Sequence, residues 1–233
     1  MENEQNFFSS LKQKFYWKQN IWYLLKYNLK SVNKIILALD TTNLDEAINT
    51  TKIVKDKIFT IKLGLEFFNA HGKEGVKKFN ELGINNLMLD LKLKDIPETV
   101  YKAKKAADDI RDKPKIMMVT ILTALNDEDL KAIGSNNTVN EQVKKLAELA
   151  KETGVGIVCS GHEAKTVRKI IGPDFLIFTP GIRMARENAN DQVRVCTPND
   201  SLLNGADKII MGRSLLNGDV EENLNKVSNS IKT

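Results

Sequence analysis

From Lys34 onward the chain alternates short apolar runs with longer stretches whose apolar residues recur every three or four positions. The runs at 35–40, 58–64, 86–92, 116–122, 156–160, 176–181 and 208–212 have the length and composition of buried strands. Between them, Ala47, Ile48, Thr51 and Val54 share a helical face, as do Val76, Phe79 and Leu82, and then Val100, Ala103 and Ala107. Val139, Val143, Leu146, Ala147 and Ala150 repeat the spacing most clearly. Strands followed in rotation by helices predict an α/β fold with a parallel sheet covered on its outer face.

The strand ends decide between a closed barrel and an open, doubly wound sheet. Polar groups recur at nearly all of them: Asp40, Lys62, Asp90 with Lys92, Thr123, the turn at 179–183, and Gly212 with Arg213. An open sheet binds ligands chiefly at one switch point, whereas a barrel gathers its strand ends around one mouth. The sequence also lacks the glycine-rich dinucleotide fingerprint. The expectation is a TIM-type (β/α) barrel, with seven recognisable strands where eight belong.

The densest chemistry lies in Asp90-Leu91-Lys92-Leu93-Lys94-Asp95-Ile96-Pro97-Glu98-Thr99. It follows apolar Leu87-Met88-Leu89 and reads as the end of a buried strand entering a loop, with Pro97 opening the next helix. Alternation along a strand puts Asp90 and Lys92 on one face and Leu89, Leu91 and Leu93 on the other. One reading is an ordinary structural ion pair. Such a pair stabilises little once its desolvation is counted. Here a second carboxylate, Asp95, follows at a strand's C-terminal end, where barrel enzymes hold their reactive groups.

Composition adds limits. The 233 residues suit one large barrel domain, and no apolar run approaches the roughly 20 residues of a membrane span. The net charge of +5 comes from lysines scattered over many helices, which favours solvated outer faces or an anionic small substrate over a nucleic-acid surface. Cys159 and Cys196 have neither the number nor the spacing of a disulfide framework or zinc site, and Cys159 reads as a small buried residue. His71 and His162 are isolated in sequence, and no metal is expected.

Residues 1–32 differ from the remainder, mixing Phe7, Phe8, Phe15, Tyr16, Trp17, Trp22, Tyr23 and Tyr27 with Lys12, Lys14, Lys18, Lys26 and Lys30. They lack the arginines of a transit peptide and the continuous apolar core of a secretory signal. Two readings stand: a helical, amphipathic appendage on the outside of a domain formed by residues 33–233, or a membrane-surface anchor.

The stretch from Asp90 to Thr99 resembles the signature of the orotidine 5'-phosphate decarboxylase family. Further matches follow in order: Ala38-Leu39-Asp40, Ile61-Lys62-Leu63-Gly64, Thr120-Ile121-Leu122-Thr123, Thr179-Pro180-Gly181-Ile182-Arg183, Asn190-Asp191-Gln192-Val193-Arg194 and Gly212-Arg213-Ser214. The resemblance implies decarboxylation of orotidine 5'-phosphate to UMP, without cofactor or metal, by a cytoplasmic homodimer. By it Lys92 would donate a proton to C6 of the pyrimidine, and Asp90 would stand against the departing CO2. Lys62 and Asp40 would hold the ribose hydroxyls, and Asp95 would reach into the partner's site. Ile96, Pro97, Thr99, Thr123 and Pro180 would line the substrate, with Thr123 beside the pyrimidine. Arg183, Gln192, Gly212 and Arg213 would grip the 5'-phosphate under a closing loop at 184–191.

One unit of the family pattern is missing. Between Lys92 and Ile116 there is room for one helix, at about 97–110, so roughly 30 residues are absent as one βα unit between Ile110 and Lys115. Three accounts compete: a segment omitted from the sequence, closure of the opening by the aromatic N-terminal residues, or a homologue that folds poorly. Two rival functions follow. One is a magnesium-dependent sugar-phosphate lyase of the same barrel group, and the other is an impaired nucleotide-phosphate binder.

Overall fold

The structure, a computed structural model, describes residues 33–84, 86–92, 97–109, 114–185 and 193–232. The expectations for residues 1–32, Asp95, Ile96 and Gln192 lie outside the described residues. In chain order the elements are β1 (Ile35–Leu39), α1 (Leu44–Val54), β2 (Thr60–Gly64), α2 (Leu65–Glu81), β3 (Leu87–Asp90), α3 (Pro97–Asp108), β4 (Met117–Val119), α4 (Asp127–Ala132), α5 (Val139–Thr153), β5 (Gly156–Val158), α6 (Ala164–Ile171), β6 (Ile177–Thr179), α7 (Pro198–Leu203), β7 (Lys208–Met211), α8 (Arg213–Leu216) and α9 (Val220–Ser230). All seven expected strands are present, shortened at one or both ends. Among the described residues no helix is long and apolar enough to cross a membrane.

The strands are parallel, in the order β3-β2-β1-β7-β6-β5-β4, and form a curled half-barrel. Their side chains split by parity. On β1, Ile35, Leu37 and Leu39 face α1, α2 and α9 in the largest apolar cluster, whereas Ile36 and Ala38 join Phe178 and Ile210 on the inner face. Because both faces are covered, every β1 residue is buried, which is why the strand reads as an unbroken apolar run. A second outer cluster packs α5 and α6 on Ile157 and Ile177, and the predicted face of α5 is buried at Val139, Val143, Ala147 and Ala150. That helix begins in a capping box between Thr138 and Glu141 and ends at Gly154, whose φ of 70° closes the last turn.

The sheet's two ends correct one expectation. The run at 86–92 reads as a buried strand, yet β3 and β4 are the edges of the sheet, and their residues are half-buried or exposed. Leu89 is 46% exposed, while Leu63, its register partner on β2, is fully buried. On α3, Ala103 of the predicted apolar face is exposed and Ala107 is half-buried. Among the described residues no strand joins β3 to β4, so neither edge has the neighbour that would cover these side chains.

Candidate active site

Parallel register puts the polar residues of three adjacent strands at one level. Ala38 pairs with Lys62 and Lys62 with Met88, while Gly64 pairs with Asp90. Asp40, one residue beyond β1, therefore completes a row across the strand ends with Gly64 and Asp90. All three lie on the inner parity, as Lys62 does one layer lower. Gly64 contributes no side chain to that row, and Lys62 rises from below into the space between the two carboxylates.

The result is an alternating chain of charges. Lys62 Nζ lies 3.2 Å from Asp40 Oδ1 and 3.3 Å from Asp90 Oδ2, and Lys92 Nζ pairs with Asp90 Oδ1. Lys62 is only 8% exposed, and its two carboxylate partners offset the cost of burying a charge there. Burial works against the charged form of Asp90, but the hydrogen bond from Lys92 and the nearby charge of Lys62 outweigh it and hold the carboxyl below its ordinary value.

Lys92 does not continue the strand as the alternation pattern predicts. β3 ends at Asp90, and Lys92 has a φ of 50°, a left-handed conformation that costs a side-chain-bearing residue about 1–2 kcal/mol. The turn brings its ammonium back to Asp90 while leaving it open to the mouth.

A second group forms on the other half of the sheet. Thr123 is buried beyond β4, and its carbonyl accepts hydrogen bonds from the backbone of Val193 at 3.2 Å and Arg194 at 3.1 Å. Gly181 has a φ of 70°, and a Cβ there would stand 3.3 Å from Thr123 Cγ2 and 3.1 Å from the Arg194 carbonyl. Pro180, half-buried, precedes it directly after β6. Arg183 is buried, donates from Nη1 to the Ile182 carbonyl, and is tied by its backbone N–H to Cys196. These bonds pin both ends of the segment that sequence analysis assigns to a closing loop.

The remaining described site residues fall just after β7 and in the first turn of α3. Gly212 follows β7 beside β1, where a Cβ would meet the Ala38 carbonyl at 3.5 Å and Asp40 Oδ2 at 4.0 Å. Arg213 follows, exposed, at the start of α8. Pro97 opens α3, and Thr99 is exposed in its first turn. Sequence reasoning assigns no part to Gly64, Glu163 or the Arg194 side chain. The spacing of Gly64 two residues after Lys62, on the same face, is the signal that points to the first.

Comparison with known proteins bears on this arrangement. The family model described as "Orotidine 5'-phosphate decarboxylase / HUMPS family" matches residues 33–110 and 98–226. The orotidine 5'-phosphate decarboxylase of Wolbachia pipientis subsp. Culex pipiens is 41% identical over 209 residues, covering 79% of this chain and 92% of that protein. That of Ehrlichia canis is 39% identical over 225 residues, covering 85% and 98%. The chain belongs to the orotidine 5'-phosphate decarboxylase family. A crystal structure of orotidine 5'-phosphate decarboxylase from Lactobacillus acidophilus superposes with a TM-score of 0.68 at 29% identity, covering 86% of this chain and all of that one.

The same comparisons place the departure from the family at the sheet's open side. The two matched stretches overlap at 98–110, so nearly all of α3 is matched twice. The Wolbachia alignment spans 209 positions but takes in 79% of 233 residues, about 184, which leaves about 25 positions of that orotidine 5'-phosphate decarboxylase facing a gap. That is the length of one strand and one helix, and among the described residues no strand lies between the edges β3 and β4, where such a unit would fit.

Proposed function

We propose that this chain decarboxylates orotidine 5'-phosphate to UMP in pyrimidine biosynthesis, with its own charged side chains supplying the catalysis. The observation that carries this reading is the alternating chain Asp40–Lys62–Asp90–Lys92 at adjoining strand ends. In the reaction the bond from C6 to the carboxylate breaks, CO2 leaves, and the electron pair remains on a carbon whose ring cannot delocalise it. A fixed ammonium beside that carbon stabilises the developing charge and then delivers the proton. Lys92 has this role, held by Asp90, whose lowered pKa keeps it an anion across the physiological range. Asp90 stands against the leaving carboxylate, and Lys62 with Asp40 holds the ribose hydroxyls.

Thr123 and Pro180 border the base, and Ile96, Pro97 and Thr99 also line the substrate. Arg183, Gln192, Gly212 and Arg213 take the phosphate, and binding energy gained there drives the 184–191 loop closed over the reacting carbon. The active form is a cytoplasmic homodimer in which Asp95 of each protomer enters its partner's site. Residues 33–233 form the decarboxylase domain, and residues 1–32 are an appendage to it. The names of the relatives favour this reaction over the magnesium-dependent sugar-phosphate lyase.

The test is incubation of the purified full chain with orotidine 5'-phosphate after treatment with a chelator. Stoichiometric CO2 and UMP are the expected products. Tight UMP binding with no turnover would support the impaired binder instead, and activity restored only by magnesium would support the lyase.

A further inference from the structure

The side chain of Arg194 is bound in a way that the reaction itself leaves unexplained. Its guanidinium donates from Nε to the Leu125 carbonyl at 3.1 Å, and from Nη2 to the carbonyls of Ile121 at 3.1 Å and Leu122 at 2.9 Å. Nη1 pairs with the carboxylate of Glu163, and both side chains are largely buried. Glu163 is itself fixed, since its other oxygen accepts from the Ser160 N–H at 3.1 Å, just past β5. The Arg194 main chain adds a donor to Thr123 and packs its carbonyl against Gly181 beyond β6. One residue therefore joins the ends of three successive strands, and it lies two positions after Gln192.

We infer that Arg194 is a positioning residue that sets the pyrimidine-side loop at 121–125 relative to the phosphate-gripping segment, so that seating the phosphate also seats Thr123 against the base. The inference rests on the assignment of Thr123 to the base and of Gln192 and Arg183 to the phosphate. The planar fork of arginine is required for this: three carbonyls and one carboxylate lie around it in different directions, and a lysine ammonium reaches at most part of that set. Nothing in the arrangement touches the reacting carbon. Its effect is on geometry, where a misplacement of about 1 Å costs on the order of a hundredfold in rate.

The experiment compares the full-length wild type with Arg194→Lys and with Glu163→Gln, which keeps an acceptor for Ser160 but removes the charge. Three readouts are taken: kcat and KM for orotidine 5'-phosphate, UMP affinity, and UMP-induced slowing of backbone hydrogen exchange at 121–125 and 193–196. For Arg194→Lys the expected result is a kcat lowered on the order of a hundredfold, with KM and UMP affinity within about threefold. UMP then protects 193–196 but no longer 121–125, and Glu163→Gln shows the same split to a smaller degree. Unchanged kcat, or loss of kcat and UMP affinity in equal proportion, overturns the inference. Should the wild type prove inactive, the functional reading fails. The inference is then decided by exchange alone: coupled protection in wild type that Arg194→Lys uncouples upholds it, and its absence overturns it.

Discussion

Gly64 stands two residues above Lys62 on the inner face of β2, and the lysine ammonium fills the space that a side chain at Gly64 would need. A Cβ there would lie 3.4 Å from Lys62 Nζ and 3.0 Å from Asp40 Oδ1. The glycine is not needed for its backbone, whose φ of −94° and ψ of −170° suit any residue. Its absent side chain lets one ammonium bridge two carboxylates from the layer below.

Gly64→Ala accordingly separates folding from activity. The methyl group displaces Asp40 and Lys62 by a few tenths of an ångström while leaving the strand intact. The expected result is a kcat reduced about ten- to a hundredfold and a thermal midpoint within a few degrees of wild type. Full activity in this variant would mean that the spacing of Asp40, Lys62 and Asp90 is immaterial.

The open side of the sheet makes a second prediction, from two leucines in register. Leu63→Ala removes a fully buried side chain and is expected to cost about 2–5 kcal/mol in urea unfolding. Leu89→Ala, one strand further out and half exposed, is expected to cost less than about 1 kcal/mol. Similar losses at the two positions would show that a further layer covers β3 in solution.

Much of this was legible in the sequence because it is local. Strand positions follow from runs such as Ile35-Ile36-Leu37-Ala38-Leu39, and α5 from its spacing and its Thr138–Glu141 cap. The pairing of Asp90 with Lys92 was legible too, although by a different route: a positive φ at Lys92, which no propensity announces, replaces the extended strand. What was not legible depends on neighbours far along the chain. Leu89 and Ala103 have core-like spacing, yet among the described residues β3 is an edge of the sheet and both side chains are exposed. The matched run at 190–194 gives the Arg194 side chain no part, and only the fold closes five backbone and side-chain partners around that residue.

Asp90 predicts a stability change at acid pH. Its folded pKa lies below the ordinary value of 3.8, so its ionised form contributes stability above that pH, and the contribution is lost as pH falls through the folded value. Wild type should exceed Asp90→Asn by on the order of 1–2 kcal/mol at neutral pH. The difference should shrink below pH 3.8. Urea titrations of both proteins from neutral to acid pH measure it, and a gap that widens on acidification would reverse the assigned sign.

Burial pushes the Cys159 thiol up to about 12, against the opposing pull of Arg194 and Arg168, and raises that of Cys196 as well. Neither is a ready thiolate at neutral pH. Iodoacetamide should leave both unmodified in the native protein and label both in urea, as read by intact mass. Rapid native labelling of Cys159 would show that the core around β5 opens.

In the proposed mechanism a lysine ammonium at the end of β3 delivers the proton that replaces CO2. Steady-state decarboxylation by wild type and Lys92→Ala, with UMP affinity measured alongside, tests it most directly. The expected result is a fall in kcat on the order of a thousandfold or more with UMP binding still measurable. Turnover by Lys92→Ala at the wild-type rate would contradict it.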